Sequence, residues 1–227
     1  MSRIVIILFT LINLVGESSA FCQKKDHLAT IDARRFASYR QILLSQLGTT
    51  PFDAGRVVVC PAFESEYSIS IYSVSGGGNR RAFRVTYLSP TESIWTLTDG
   101  GNDLSEIHGI RVKRIDADIP ESTATVLKEV WTKMLSQARG EAPPSGKWEQ
   151  IPIDSTSVEW YLQRPERHVS SGQLNNYVTR GPNTQSFLTL TAETLLRYCK
   201  SDPKERASIA HRIESDGQRL LGALSKK

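Results

Sequence analysis

Tyr67-Ser68-Ile69-Ser70-Ile71-Tyr72-Ser73-Val74, then Ser75-Gly76-Gly77-Gly78-Asn79, then Arg81 to Leu88 is a β-hairpin written in sequence. The first arm carries β-branched and aromatic residues in a strand pattern. The glycines make a turn, and the second arm returns with Phe83, Val85 and Tyr87 on one face. Strands on both sides of the triple glycine also argue against a phosphate cradle, which needs a helix N-terminus behind the loop.

More strands surround this hairpin. Arg56 to Cys60 is a short buried run ended by Pro61, and Ile94 to Leu97 and Ile110 to Ile115 give two further strands across the turn-rich Asp99-Gly100-Gly101-Asn102-Asp103. Ser155 to Leu162 and His168 to Thr179 form a second pair. Helices flank the strands. Phe36, Tyr39, Leu43 and Leu47 make one stripe over 31–47, stopped by Gly48; Leu127, Val130, Trp131, Met134 and Leu135 make another over 122–138. Leu190-Thr191 reads as the start of a helix running to Lys200. Asp202-Pro203-Lys204-Glu205 then supplies an N-cap and a proline at the first helical position for a last helix to Leu224, whose stripe includes Gly217 and so permits a close neighbour. Strands grouped apart from helices predict an α+β domain: a mostly antiparallel sheet with four amphipathic helices packed on it. The only linker-like segment, Glu141 to Gly146, is short and reads as an intradomain loop.

The N-terminus carries an address. Arg3 is a positive n-region, Ile4 to Val15 an apolar h-region, and Ser18 and Ala20 put small side chains where a signal peptidase reads them. The apolar run is short of the roughly 20 residues of a spanning helix. We therefore expect residues 1–20 to be a signal peptide, the mature chain 21–227 to be one domain without a membrane span, and the protein to be exported, periplasmic or secreted. Removing 20 of 227 residues leaves 207, enough for one sizeable core. The charge of +4 is spread along the chain among acids, which argues against a nucleic-acid partner and leaves a weak attraction to acidic envelope polymers.

Three cysteines in an oxidising compartment permit one disulfide. Cys60–Cys199 is favoured because both lie in core-like segments, and closing so long a loop is worth about 4–5 kcal/mol in the chain-entropy model. Cys22–Cys199 and two buried free thiols are the alternatives. Without any CxxC pair, neither a redox motif nor a cysteine zinc site is expected.

Familiar catalytic signatures are missing: no G-x-S-x-G, H-E-x-x-H, P-loop or S-x-x-K. Asp99 to Ile110 has the flavour of a calcium loop but puts Leu104 where glycine belongs and Ile110 where the bidentate acid belongs, so no metal and no cofactor is expected. Glu64 and Glu66 at the start of a strand can face one side, as a carboxylate pair would, and His108 lies near Asp103 and Glu106 as an acid–base candidate. Trp160-Tyr161-Leu162-Gln163-Arg164-Pro165-Glu166-Arg167-His168 combines rings with guanidinium forks. Trp160, Tyr161, Arg164, Arg167 and His168 are therefore the ligand-binding candidates, suited to a saccharide or carboxylate. Two functional expectations follow. The first is a non-enzymatic binding or structural module of the cell envelope or extracellular space, engaging an envelope protein or acidic polymer; the second is a small exported hydrolase acting on a glycan or ester.

Overall fold

The computed structural model describes Leu28 and residues 37–75, 81–99, 110–138, 156–163, 169–175 and 184–225. Six strands form one sheet: β1 Gly55–Cys60, β2 Tyr67–Val74, β3 Ala82–Pro90, β4 Val112–Ile119, β5 Ser157–Gln163 and β6 Val169–Asn175. Their order is β4-β3-β2-β1-β5-β6, and every neighbouring pair is antiparallel. Five helices complete the described residues: α1 Ala37–Leu47, α2 Ile94–Leu97, α3 Glu121–Ser136, α4 Thr184–Lys200 and α5 Pro203–Leu224. The expected α+β class is what the chain adopts.

Side chains alternate across a strand, so the sheet has two faces of different chemistry. One face presents Val57, Val59, Ile69, Ile71, Val85, Ala117, Val158 and Trp160 to the main core. Helices α3 and α4 lie on it, and α5 packs across both helices. There Gly217 earns the reading given above: a Cβ on it would stand 2.4 Å from Val126 Cγ1 of α3. At the edge of β1, Gly55 has φ +128° and faces the ring of buried Trp131, where a Cβ would come within 2.0 Å of Cε3. Both the backbone and the packing there accept only glycine.

The other face is more polar. Arg56, Ser68, Ser70 and Thr86 are buried on it, under α1 and the loop that follows. A smaller apolar cluster joins Tyr39, Ile42, Leu43 and Leu47 of α1 to Val58, Leu88, Ile94 and Tyr161. Arg56 is tied down by Nε donating to Ser70 Oγ at 2.9 Å and Nη2 donating to the Gly48 carbonyl at 3.0 Å and to the Thr50 carbonyl, and it stacks on the Phe52 ring at 4.2 Å. Burial lowers its pKa to about 10, which still leaves the guanidinium charged at neutral pH. Ser68 Oγ donates to the Leu47 carbonyl at 2.7 Å and so satisfies the end of α1.

Three sequence expectations are corrected. Ile94 to Leu97 is the short helix α2, not a strand, because an acceptor 28 residues away in sequence takes its first N–H groups. Helix α4 begins at Thr184, so Thr191 lies inside it rather than at its cap. Cys60 and Cys199 are free thiols. The sheet explains why: Cys60 packs against the α1 cluster and Cys199 belongs to the main core, on opposite faces. Such a separation exceeds the Cα span of a disulfide. The last helix matches expectation, with Asp202 Oδ1 accepting from Lys204 N at 2.8 Å and Glu205 N at 3.1 Å. No helix among the described residues is long and apolar enough to cross a membrane.

Candidate functional site

The register sets which residues share an end of the sheet. Val59 pairs with Tyr67, Cys60 with Ser157, and Pro90 with Val112. The β1–β2 connection, the segment leaving β3 and the start of β5 therefore meet at one end. Glu64, Glu66 and α2 are found there.

Glu66 is the centre of this end. It is 1% exposed and its carboxylate is fully engaged. Oε1 accepts from Tyr39 OH at 2.7 Å, from Trp95 N at 2.8 Å and from Ser93 Oγ at 3.3 Å; Oε2 accepts from Ile94 N at 2.8 Å. A four-residue helix has almost no internal hydrogen bonds of its own, and its leading N–H groups need acceptors. Glu66 supplies them across the sheet end, while Ser93 caps the same turn by accepting from Thr96 N at 3.4 Å. A negative charge at a helix N-terminus is also the favourable sign. Glu66 thus holds α2 in place. Glu64 is exposed, so the two acids do not face one cleft together.

Tyr39 of α1 closes the arrangement from above. Its phenol donates to Glu66, and its ring meets that of Trp95 edge-on, centroids 5.0 Å apart and planes at 83°. Burial, with the negative charge of Glu66 nearby, drives the phenol far above its ordinary pKa. Cys60 is half-buried beside this group. Burial pushes its thiol up to about 12, with Glu159 acting in the same direction. At neutral pH it is a protonated thiol and not a nucleophile. Cys199, also raised to about 12 by burial, is equally inert. Arg40, Glu159 and Tyr161 make a second polar group under α1: Arg40 Nη2 lies 3.2 Å from Glu159 Oε2 and donates to Tyr161 OH at 2.7 Å, and Tyr161 OH donates to Glu159.

Two large aromatics stay exposed beside Glu64 and Glu92. Phe63 is 80% exposed in the β1–β2 connection, and Trp95 is 43% exposed on α2. Glu66 links them: it is three residues along the chain from Phe63 and accepts the Trp95 amide. Sequence reasoning did not single out either ring. The signal for Phe63 was a large aromatic placed between Pro61-Ala62 and Glu64-Ser65-Glu66, a polar turn with no apolar partner in register.

Of the other candidates, the described Trp160 and Tyr161 do not gather here. Trp160 lies in the main core and Tyr161 on the opposite face, since adjacent strand residues point apart, and the pair cannot form one stacking platform. The chain leaves β5 at Gln163 and rejoins at Val169, at the end of the sheet opposite Glu66, roughly 20 Å along the strands. Arg164, Arg167 and His168 lie outside the described residues, as do His108 and Asp103. Among the described residues no group of three His, Cys, Asp or Glu side chains is placed to hold a metal ion. A notch between α4 and α5, lined by Leu190, Thr191, Thr194, Ile213 and Asp216, has no enclosed room for a water molecule. Chemically, the assembled end can offer an exposed aromatic, Trp95, whose amide and ring are both held. Comparison of the chain with protein-family models, with curated proteins and with solved structures finds no match.

Proposed function

We propose that this chain is an exported, non-enzymatic binding module of the cell envelope or extracellular space, and that it engages its partner through the sheet end bearing Phe63 and Trp95. The observation that carries the reading is the mounting of Trp95. Its amide is held by buried Glu66 and its ring by Tyr39, yet nearly half of the residue faces solvent. An aromatic already fixed in place loses little conformational freedom on binding, and such residues dominate binding energetics. Export is supported by the signal pattern of residues 1–20. The hydrolase reading loses the Glu64/Glu66 pair, whose buried acid holds α2; its other candidates, His108, Arg164 and Arg167, lie outside the described residues.

The test is co-sedimentation of the chain spanning 21–227 with cell-wall and membrane fractions of the producing cells, beside a Phe63→Ala/Trp95→Ala variant. Truncating one anchoring aromatic costs about 2 kcal/mol or more of binding energy, a loss of roughly thirtyfold in affinity. The expected result is retention of the parent and loss of the variant, with the variant still folded by circular dichroism. Equal retention of both proteins would overturn the assignment of this surface; fractionation of cells producing the full 1–227 chain tests export, and its recovery only in the cytoplasm would overturn that reading.

A further inference from the structure

We infer that α1 is a latch on the Phe63/Trp95 surface: it opens as a unit while the rest of the fold stays closed, and its opening loosens the seat of Trp95. The inference rests on the proposed binding role only for the use made of the latch; the opening itself follows from how α1 is held. Helix α1 is 11 residues long, with no acid in its first turn and no base in its last. A helix of that length and charge pattern is not stable alone, so its contacts with the sheet decide whether it forms.

Those contacts are of an unusual kind for a packed helix. Its apolar cluster is separated from the main core by the whole thickness of the sheet. The rest of its attachment is polar and directional. Tyr39 bonds Glu66, Arg40 bonds Glu159 and Tyr161, and the chain at its C-terminal end accepts from Ser68 and Arg56. When α1 lifts, water can replace those partners on Ser68, Arg56, Glu66 and Glu159. Its apolar share is the smaller cluster with Val58, Leu88, Ile94 and Tyr161, whereas lifting α3 or α4 would wet the larger core that holds Val57, Val59, Ile69, Ile71 and Trp160, for which water offers nothing in return. The free energy of opening α1 is accordingly lower than that of global unfolding, which is the condition for a sub-global opening.

Tyr39 connects this opening to the aromatic surface. It touches both Glu66 and Trp95. With Tyr39 withdrawn, solvent reaches the carboxylate and competes for the bonds that Glu66 makes to Ile94 N and Trp95 N. A partner that binds the seated Trp95 must then favour closed α1, and closure of α1 must favour that partner by the same factor.

The experiment is hydrogen exchange of the 21–227 chain, read by mass spectrometry of peptides at increasing urea below the unfolding transition. The expected result is that α1 amides exchange through an opening with little urea dependence, those of α3 only through the global one, and those at Ile94 and Trp95 in step with α1. Tyr39→Phe, which keeps the ring and removes the bond to Glu66, should speed exchange in α1 and α2 roughly tenfold and leave α3 unchanged. If α1 and α3 of the parent protein share one opening free energy and one urea slope, there is no latch. If α1 opens early but α2 does not follow, the coupling to Trp95 is wrong. No partner is present in this measurement, so its failure is distinct from failure of envelope binding.

Discussion

Replacing Glu66 by alanine tests whether this acid serves the fold or chemistry. The substitution leaves the amides of Ile94 and Trp95 and the phenol of Tyr39 without their acceptor at a site where Glu66 itself is 1% exposed; the fourth donor, the Ser93 hydroxyl at 3.3 Å, can rotate to water. An unsatisfied buried donor costs about 1–3 kcal/mol. Three donors, of which the Trp95 amide is only partly buried, give a loss of about 3–5 kcal/mol after partial rehydration. For a domain of this size about 1 kcal/mol moves the melting temperature by roughly 2–4 °C. Thermal unfolding followed by circular dichroism should therefore show a fall on the order of 6–20 °C. Glu66→Gln keeps the shape and one acceptor, but turns an amide donor toward either Ile94 N or the Oε1 donors, and it should fall between alanine and the parent. Glu64→Ala, at an exposed position, should stay within about 0.5 kcal/mol of the parent. A Glu66→Ala protein as stable as the parent would refute the structural role. So would a Glu66→Gln protein of full stability that had lost a hydrolytic activity the parent possessed.

Two glycines of α5 should respond to alanine in opposite directions. Gly217→Ala forces a methyl against the β-branched Val126 at 2.4 Å and should cost about 1–2 kcal/mol net of helix propensity, whereas Gly222, with nothing within 4 Å, should gain roughly 0.5 kcal/mol on the same change. Urea unfolding measures both, and a stabilised Gly217→Ala would mean that α5 and α3 are not in close contact. Acid should weaken the fold through Asp116 and Glu214. Asp116 is held below its usual range by the Arg114 hydrogen bond and then by that of Thr86, and Glu214 by the hydroxyls of Thr123 and Ser122. A carboxyl depressed in the folded state contributes stability that is present above its unfolded pKa, about 4, and is lost as pH falls through the folded value. Thr123→Val removes the 2.5 Å bond to Glu214 and should flatten the loss of melting temperature below about pH 4; an unchanged acid profile would remove Glu214 from the account.

The parts of the fold legible in sequence were those set by local chemistry. The β2–β3 hairpin shows in its alternation because one face is apolar, and α5 shows in Asp202-Pro203 because capping is a contact between near neighbours. The parts that were missed depend on residues far apart in the chain. Ile94-Trp95-Thr96-Leu97 has strand composition, and the distant carboxylate of Glu66, together with the Ser93 cap, holds it as a helix. Thr191 resembles a cap, yet the helix passes through it from Thr184. Cys60 and Cys199 both occupy core-like segments, but sequence does not tell which side of the sheet each faces. The site was legible in one residue and not in its role: Glu66 stood out as an acid at a strand start, while Tyr39 looked like an ordinary stripe residue. Phe63 and Trp95 drew no attention because exposure is a property of the folded surface.

The position of β1 has a consequence for how the chain is made. On one side β1 pairs with β2 across a short connection, but on the other Val58 pairs with Glu159, 101 residues later. Strand β4 ends at Ile119 and β5 at Gln163, so during synthesis at roughly 5–20 residues per second a sheet of four strands can assemble and then wait on the order of 2–9 s with the Val57-Val58-Val59 edge unpaired. An uncharged β-branched edge of this kind is a template for other chains. Folding in the cytoplasm would begin with the half of the molecule most prone to join a neighbour. A chain that is complete before it folds offers β5 to that edge at once, so the topology rewards delaying folding until both halves are present.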